Sequence, residues 1–185
     1  MKLNLGCGFR KLDGHVNVDR FATCAPDVVF NLEETPWPWP TGSATTVVFH
    51  HSLEHMGGDP EVFLGMMKEL YRVCAADAAI RIVVPHPRHD SFMMDPTHVR
   101  AITPNMFTLF SKAANREWRA VGRPNTPFGL YLDVDFEVTS ASQVVEEHYF
   151  KLLQSGALSQ EDFDRAVKER NNVVAEYVID LKAVK

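Results

Sequence analysis

Short apolar runs alternate with polar and helix-like segments through the first half of the chain. Five of these runs are predicted as strands because each is short and ends near a glycine, proline or polar residue. They cover residues 2–5, 15–19, 27–32, 45–50 and 79–85. Residues 60–75 are predicted as a helix, since apolar side chains recur there at helical spacing and Asp59 before Pro60 is a start signal. Strands that alternate with helices predict an α/β fold with a parallel sheet.

The pattern changes in the second half of the chain. A short helix is predicted near 103–114, a long strand at 128–138, helices at 144–155 and 159–171, and a closing strand at 173–184. The two late helices would form an insertion at about 144–172 between the last two strands. We consider three interpretations of this insertion. It covers the substrate, it forms a dimer surface, or it only packs against the sheet. No linker or repeat divides the chain, so we predict a single domain at 1–185.

The ends of the first two predicted strands carry the most informative residues. The first strand breaks into Gly6-Cys7-Gly8, and the second ends at Asp19. Glycines let backbone N–H groups approach a bulky ligand, and a carboxylate on the neighbouring strand can accept two hydrogen bonds from a ribose diol. These residues predict a nucleoside-shaped pocket. An NAD-type site is disfavoured, because Asp19 follows the glycines sooner than the usual ~20 residues and no third glycine opens a crossover helix.

The link between these two strands, at residues 9–14, is too short for the full helix that a parallel crossover normally contains. A shortened first helix is therefore predicted, and it would leave the pocket more open.

On these residues the chain resembles the class I S-adenosylmethionine (SAM)-dependent methyltransferases, and within them the small branch related to the ubiquinone-biosynthesis type, or type 11. The matching segments, in order, are LNLGCG, NVD, DVVFNLEETPWPWPTGSATTVVFHHSLEHM, ELYRVCAADAAIRIVVP and DPTHVRAITPNMF. The resemblance implies a three-layer Rossmann-like sheet, mostly parallel with an antiparallel C-terminal edge strand. It also implies SAM as cofactor, S-adenosylhomocysteine as product and a small-molecule methyl acceptor, with O-methylation favoured.

The resemblance also implies which residues bind the cofactor. Gly6 and Gly8 would admit the methionine part and the ribose, Asp19 would hold the ribose hydroxyls, and residues 31–32 would flank the adenine. Asn4 stands where relatives often carry an acid, and a structural role in the turn is its alternative interpretation. The full predicted set is Asn4, Leu5, Gly6, Cys7, Gly8, Asp19, Arg20, Asn31, Leu32, His50 and His51.

Histidines that follow the fourth and fifth strands are the candidate catalytic residues. Methyl transfer from a sulfonium mainly requires alignment, and a base is needed only when the acceptor is a protonated hydroxyl or amine. Histidine suits that role near neutral pH. We predict His51 and His98 as candidate bases, with His86 and His89 behind them. Strand alternation places His50 and His51 on opposite faces, so at most one of them faces the pocket. The resemblance implies that this one is His51, beneath the sulfonium.

Two other function classes remain open on the sequence. A cofactor-binding accessory protein without catalysis would fit Asn4 and the shortened first helix. A zinc hydrolase would use the His51-x-x-Glu54-His55 pattern, but such enzymes need both histidines on one helix face, and His51 ends a strand-like run. We therefore expect no metal.

Composition narrows the partners and the compartment. The 185 residues, 45% of them hydrophobic, suffice for one sizeable core, and the net charge of −5 lacks the basic field that nucleic-acid binding needs. No nucleic-acid partner is therefore expected. No membrane partner is expected either, since no apolar stretch approaches ~18 residues. A homodimer is a further expectation. The odd number of cysteines, Cys7, Cys24 and Cys74, predicts no disulfide framework and favours a reducing cytoplasm.

Overall fold

One seven-stranded sheet organises the protein in the computed structural model, which describes residues 1–185. The strands are β1 (Lys2–Leu5), β2 (Val16–Asp19), β3 (Val28–Val29), β4 (Ala44–His50), β5 (Cys74–Pro85), β6 (Phe136–Val145) and β7 (Val174–Ala183). Their order is β3-β2-β1-β4-β5-β7-β6. Strands β1 to β5 pair in parallel, and β7 is antiparallel to both of its neighbours. The predicted α/β class and the mostly parallel sheet are confirmed, and the antiparallel C-terminal strand lies between β5 and the edge strand β6.

Seven α-helices accompany the sheet. They are α1 (Pro60–Val73), α2 (Asp90–Met93), α3 (Pro104–Thr108), α4 (Lys112–Ala120), α5 (Phe128–Tyr131), α6 (Glu147–Gln154) and α7 (Gln160–Glu169). The predicted helix at 60–75 is confirmed as α1, whose start is capped because the Asp59 carboxylate accepts a 2.7 Å hydrogen bond from the Glu61 N–H. None of these helices combines the length and the apolar character needed to cross a membrane.

The crossover between β1 and β2 contains no helix at all, so the predicted shortening is complete. Two buried amides organise the loop instead. The Asn17 Oδ1 atom accepts hydrogen bonds from Asn4 Nδ2 at 2.9 Å and from the Leu12 N–H at 2.8 Å, and Asn4 Nδ2 also donates to the Arg10 carbonyl at 2.9 Å. Side-chain amides thus satisfy backbone groups that a helix would otherwise satisfy internally.

The predicted strand at 128–138 is wrong in its first half. Residues 128–131 form α5, and β6 begins only at Phe136. The helical turn allows the Gly129 N–H to donate to the Leu109 carbonyl at 2.9 Å, and Asp133, with a φ of 55°, ends it in a left-handed conformation. Tertiary hydrogen bonds therefore override an apolar run that looks like a strand.

Other predicted boundaries also move. The helix predicted at 103–114 is two helices, α3 and α4, and the strand predicted at 27–32 shrinks to β3. The helix predicted at 144–155 starts at Glu147, because Val144 and Val145 still pair with β7. The fifth strand extends back to Cys74 rather than starting at 79.

Two separate cores support this fold. The main core joins the sheet to α1 and α3, and its side chains include Leu5, Phe49 and Phe107. Helices α6 and α7 lie between β6 and β7, where the insertion was predicted, and pack around a small core of Phe163, Ala166 and Val173. The sheet and the insertion are therefore packed largely independently.

Candidate functional site

A cleft of about 380 Å³ opens at the carboxyl ends of β1, β2 and β4. Its lining residues are Gly6, Gly8, Asp19, Arg20, Phe21, Phe30, Asn31, Leu32, Glu33, His51, Ser52, His55, Met56 and Thr97. In open parallel sheets the carboxyl ends of the strands are the usual ligand-binding edge, because neighbouring loops diverge there. The cleft also falls within the volume range of small-molecule sites, about 300–1,000 Å³.

The glycine turn, residues 6–8, forms one wall of the cleft. The N–H groups of Gly6 and Cys7 both donate to the Val18 carbonyl at 2.9 Å, which ties the turn to the end of β2. Gly6 has a φ of 69°, and a Cβ added there would lie 2.5 Å from the Ser52 Cβ. Gly8 has a φ of 50° and no heavy atom within 4 Å of an added Cβ. Gly6 is therefore required for packing, whereas Gly8 keeps space open.

The Asp19 carboxylate is held in a defined orientation beside this turn. Its Oδ2 accepts from the Gly8 N–H at 2.8 Å and its Oδ1 accepts from the Phe21 N–H at 2.9 Å. A carboxylate has about four acceptor positions, so each oxygen retains the capacity to accept another hydrogen bond. Asp19 can therefore bind a vicinal diol.

Aromatic and apolar side chains line the neighbouring part of the cleft. Phe21 is 59% exposed and carries the Arg20 guanidinium 5.2 Å from its ring centre. Phe30, Asn31 and Leu32, which follow β3, also line the cleft. The two phenylalanines were absent from the predicted site, although each directly adjoins a predicted site residue at a strand end. Together these side chains can stack against a planar ring.

The two adjacent histidines at the end of β4 are not on opposite faces as predicted, because their rings contact each other edge to face with centres 4.7 Å apart. His51 has a φ of 49°, lines the cleft and follows the last β4 residue, His50. The His50 ring does not line the cleft, and its Nε2 lies 2.7 Å from Arg10 Nη1. Burial and the Arg10 guanidinium lower the pKa of His50, so its ring is a neutral acceptor for Arg10. The cofactor contact of His50 stays a prediction, and its ring lies outside the cleft lining.

His51 lies between two carboxylates. Its Nδ1 is 3.6 Å from Glu54 Oε1, and its Nε2 is 3.0 Å from Glu176 Oε1. The Glu54 carboxylate chiefly, and Glu176 in addition, raise the pKa of His51 above its ordinary value. Because a carboxylate can only accept, each ring nitrogen faces an acceptor, an arrangement that favours the protonated ring.

Three further predicted cofactor residues lie behind the wall of the cleft rather than in it. Asn4, Leu5 and Cys7 are all buried and outside its lining. Asn4 is occupied by its hydrogen bonds to Asn17 and Arg10, which is the structural role considered for it as the alternative. Asn4 and Leu5 thus precede the glycine turn within the core, and the Cys7 side chain of the turn is buried with them.

The structure also places three of the candidate bases outside the cleft. His98 stacks on Phe92, and its side chain is only 8% exposed. His86 is buried against Tyr177, where desolvation lowers its pKa, and His89 caps α2. Of the four predicted catalytic histidines, His51 alone lines the cleft.

Several cleft residues were not predicted to bind cofactor or substrate, namely Glu33, Ser52, His55, Met56 and Thr97. The segment 51–56 directly follows β4, and a polar segment after a parallel strand was the available signal. Thr97 enters from a loop distant in sequence, because the N–H groups of Val99 and Arg100 donate to the Glu54 carbonyl at 2.9 and 3.1 Å.

The zinc-peptidase pattern is not formed. His51 ends the strand in a left-handed conformation, and Leu53–His55 is a single 3₁₀ turn, so His51 and His55 do not share a helix face. The structure instead brings His98 close to Glu54 and His55.

Comparison with known proteins extends this description. No protein-family model and no curated protein sequence matches the chain, whereas many solved structures share its fold. A SAM-dependent methyltransferase from Archaeoglobus fulgidus is 19% identical, with a TM-score of 0.59 over 97% of this chain and 84% of that chain. A SAM-dependent methyltransferase from Methanosarcina mazei is 14% identical, with a TM-score of 0.52 over 98% and 91%.

A geranyl diphosphate methyltransferase solved in complex with SAM is also 14% identical, with a TM-score of 0.50 over 98% of this chain and 77% of that chain. The strand order, the glycine turn and these similarities agree with one another. The chain therefore has the Rossmann-like fold of the class I SAM-dependent methyltransferases.

Proposed function

We propose that this protein is a SAM-dependent methyltransferase that acts on a small-molecule acceptor. The observation that carries the proposal is the joint wall formed by the glycine turn and Asp19, whose carboxylate is oriented by the Gly8 N–H and retains free acceptor capacity. This arrangement suits a nucleoside, because a sugar diol and a close backbone approach are needed together.

The lining residues divide the cleft into chemically distinct parts. Asp19 would accept hydrogen bonds from the two ribose hydroxyls. The adenine would lie among Phe21, Phe30 and Leu32, which offer aromatic and apolar contact. The methionine part would then pass the glycine turn toward Ser52 and His51 at the end of β4.

SAM, when bound, supplies a methyl carbon on a sulfonium and leaves as S-adenosylhomocysteine. The residues of this chain would contribute alignment and water exclusion, effects that reach about 7–11 kcal/mol in well-oriented reactions. His51 is the proposed base for a hydroxyl acceptor, since it lines the cleft and Glu176 holds its Nε2. O-methylation is therefore the reaction we favour.

A small acceptor fits the open cleft better than a polyanion does. The net charge of −5 provides no general attraction for phosphate backbones. We therefore propose a small uncharged or weakly charged hydroxyl compound, and no nucleic-acid substrate.

The cofactor half of the proposal is tested by calorimetric titration of SAM. Asp19→Ala and the isosteric Asp19→Asn should each weaken binding about tenfold or more, since hydrogen bonds to a charged acceptor contribute about 1.5–3 kcal/mol. The matched control is Asp13→Ala, which removes an exposed carboxylate outside the cleft and should leave affinity unchanged. Thermal melts check that all variants fold.

Two outcomes contradict this half. Absence of SAM binding by the unmodified protein overturns the proposed function. Unchanged affinity in both Asp19 variants, with folding intact, removes Asp19 from the ribose contact.

The catalytic half is tested by transfer of a labelled methyl group from SAM into a metabolite extract. His51→Gln should lower turnover by ~10²–10⁴, the usual contribution of a positioned base, while SAM affinity is retained. SAM binding by the unmodified protein with no transfer to any acceptor fraction would instead support the accessory-protein alternative.

A further inference from the structure

The side chains of Glu54, His55 and His98 meet beside the cleft. The 3₁₀ turn after β4 carries the first two, and the loop 95–100 brings the third, held by backbone hydrogen bonds to the Glu54 carbonyl. Their metal-ligating atoms all lie within 4.8 Å of one another. Three donors from two chain segments therefore converge on one point.

The Glu54 carboxylate is buried without a hydrogen-bond partner. Its side chain is 1% exposed, and both of its oxygens lack a hydrogen-bond partner; no other buried side-chain nitrogen or oxygen does. A buried carboxylate is costly unless it is paired, bonded or bound to a cation. The nearest imidazole nitrogens, His51 Nδ1 at 3.6 Å and His98 Nε2 at 4.0 Å, lie beyond hydrogen-bond distance, so a bound cation would compensate this charge more closely.

The two imidazoles are held so that a lone pair is available on each. His98 Nδ1 lies 2.8 Å from the Phe92 carbonyl, which can only accept, so the proton of the neutral ring is on Nδ1 and the lone pair on Nε2. The Thr97 hydroxyl donates to Asp95 and therefore accepts from His55 Nδ1 at 2.8 Å. The proton of the neutral His55 ring is thus on Nδ1, and its lone pair is on Nε2.

In metal sites, histidine ligands are oriented by hydrogen bonds from the ring nitrogen that does not bind the metal. Here the acceptors of those hydrogen bonds are a backbone carbonyl and a hydroxyl linked to a carboxylate. His98 Nε2 then lies 4.0 Å from Glu54 Oε1 and 3.9 Å from Asp95 Oδ2, beyond hydrogen-bond distance of both. Acceptors that face one another across such a gap repel unless a cation lies between them.

We propose that Glu54, His55 and His98 bind one divalent transition-metal ion of the zinc class. A set of two imidazoles and one carboxylate suits zinc and its neighbours, whereas magnesium and calcium prefer oxygen ligands throughout. His55 lines the cleft, so a remaining coordination position would be reachable from it. The ligand set departs from the His51-x-x-Glu54-His55 pattern because His51 is held by Glu176.

The test uses chelator-stripped protein titrated with ZnCl₂ alone, without SAM. One zinc ion should bind per chain, and Glu54→Gln, His55→Ala and His98→Ala should each weaken binding about tenfold or more. His148→Ala is the matched control, since it removes an exposed histidine on α6 and should leave zinc affinity unchanged.

Substitution with Co²⁺ provides a second readout that needs no variant. The visible absorption should show intense bands of a four-coordinate nitrogen and oxygen site. His55 is only partly buried, so His55→Ala keeps the test valid if a variant at Glu54 or His98 fails to fold.

Zinc binding that is absent, or equal in the unmodified protein and all three variants, overturns the proposal and leaves an ion pair between Glu54 and a protonated histidine. Loss of binding in His148→Ala alone overturns it as well, because the ion would then occupy the surface. The zinc titration is independent of SAM, so its failure is distinguishable from failure of the proposed function.

Discussion

At the scale of single residues, one ion pair fixes the tryptophan-rich loop to the main core. The Glu69 carboxylate accepts a 2.6 Å hydrogen bond from the Trp37 N–H and two hydrogen bonds from Arg72. Arg72 also donates to the Trp37 and Trp39 carbonyls at 2.9 Å. Both tryptophans are nearly fully buried. The two tryptophans of the loop 37–40 are therefore part of the core, while its two prolines stay exposed.

Glu69→Gln should make the stability of the protein less dependent on pH. Hydrogen bonds from Arg72 in the first place, and from the Trp37 N–H, lower the pKa of Glu69 below its ordinary 4.5. The ionised group thus stabilises the fold above pH ~4.5, and that contribution is lost as the pH falls through the lower native pKa. We expect a loss of about 1–2 kcal/mol at pH 7 that vanishes in acid.

Urea denaturation between pH 3 and 7 measures this effect. Glu117→Gln is the control, because Glu117 is exposed and forms no side-chain hydrogen bond in the structure. A Glu69→Gln deficit that stays constant across this range would contradict the assignment.

Gly6→Ala should destabilise the protein more than Gly14→Ala. Both glycines have left-handed φ values, 69° and 71°, so alanine costs about 1–2 kcal/mol of backbone energy at each position. Only at Gly6 would the new Cβ also collide with Ser52, at 2.5 Å. Thermal denaturation should show the larger loss of stability for Gly6→Ala. Equal losses of stability in the two variants would show that the glycine turn shifts to accommodate the new Cβ at no energetic cost.

At the scale of elements, some helices and strands follow from their local sequence pattern, whereas others depend on tertiary contacts. Helix α1 was predictable because its apolar stripe and its start signal are both local. The first part of β5 was not, because residues 74–79 are rich in alanine, which has low strand propensity, and only Cys74 and Ala79 among them pair with β4. Helix α5 was mistaken for a strand because its conformation depends on hydrogen bonds to Leu109 and Asn115.

The capping of α1 is open to a direct test. Asp59→Ala should cost about 0.5–2 kcal/mol, because the Glu61 N–H loses its acceptor. Asp59→Asn should recover most of that loss, since asparagine is also a good capping residue. Chemical denaturation monitored by circular dichroism checks both variants, and an equal loss in the two would show that charge rather than capping stabilises this end.

At the scale of the whole molecule, the two cores predict two levels of stability. The insertion of α6 and α7 depends on a core of only three buried side chains, whereas the sheet depends on the extended main core. Regions with few buried apolar contacts open at lower free energy than the global unfolding transition. The insertion should therefore be the less stable part of the protein.

Phe163→Ala and Phe136→Ala should separate these levels. Truncation of a buried phenylalanine typically costs about 3–5 kcal/mol, and Phe136 is fully buried in the main core. We expect Phe136→Ala to lower global stability by that amount, and Phe163→Ala to accelerate hydrogen exchange within residues 147–169 while the sheet stays protected. Uniformly faster exchange in Phe163→Ala would show that the two cores unfold together.

The sequence by itself determined the α/β class, the glycine turn with Asp19 beside it, and the position of the insertion, because periodicity, glycine and strand-end acids act through local geometry. Only the tertiary structure decided that the His50 and His51 rings contact each other and that the buried Glu54 lies near His98. Those outcomes depend on the left-handed residue His51 and on a loop that returns from beyond β5. Contacts between residues distant in the chain form only when the whole sheet is assembled, so no local pattern encodes them.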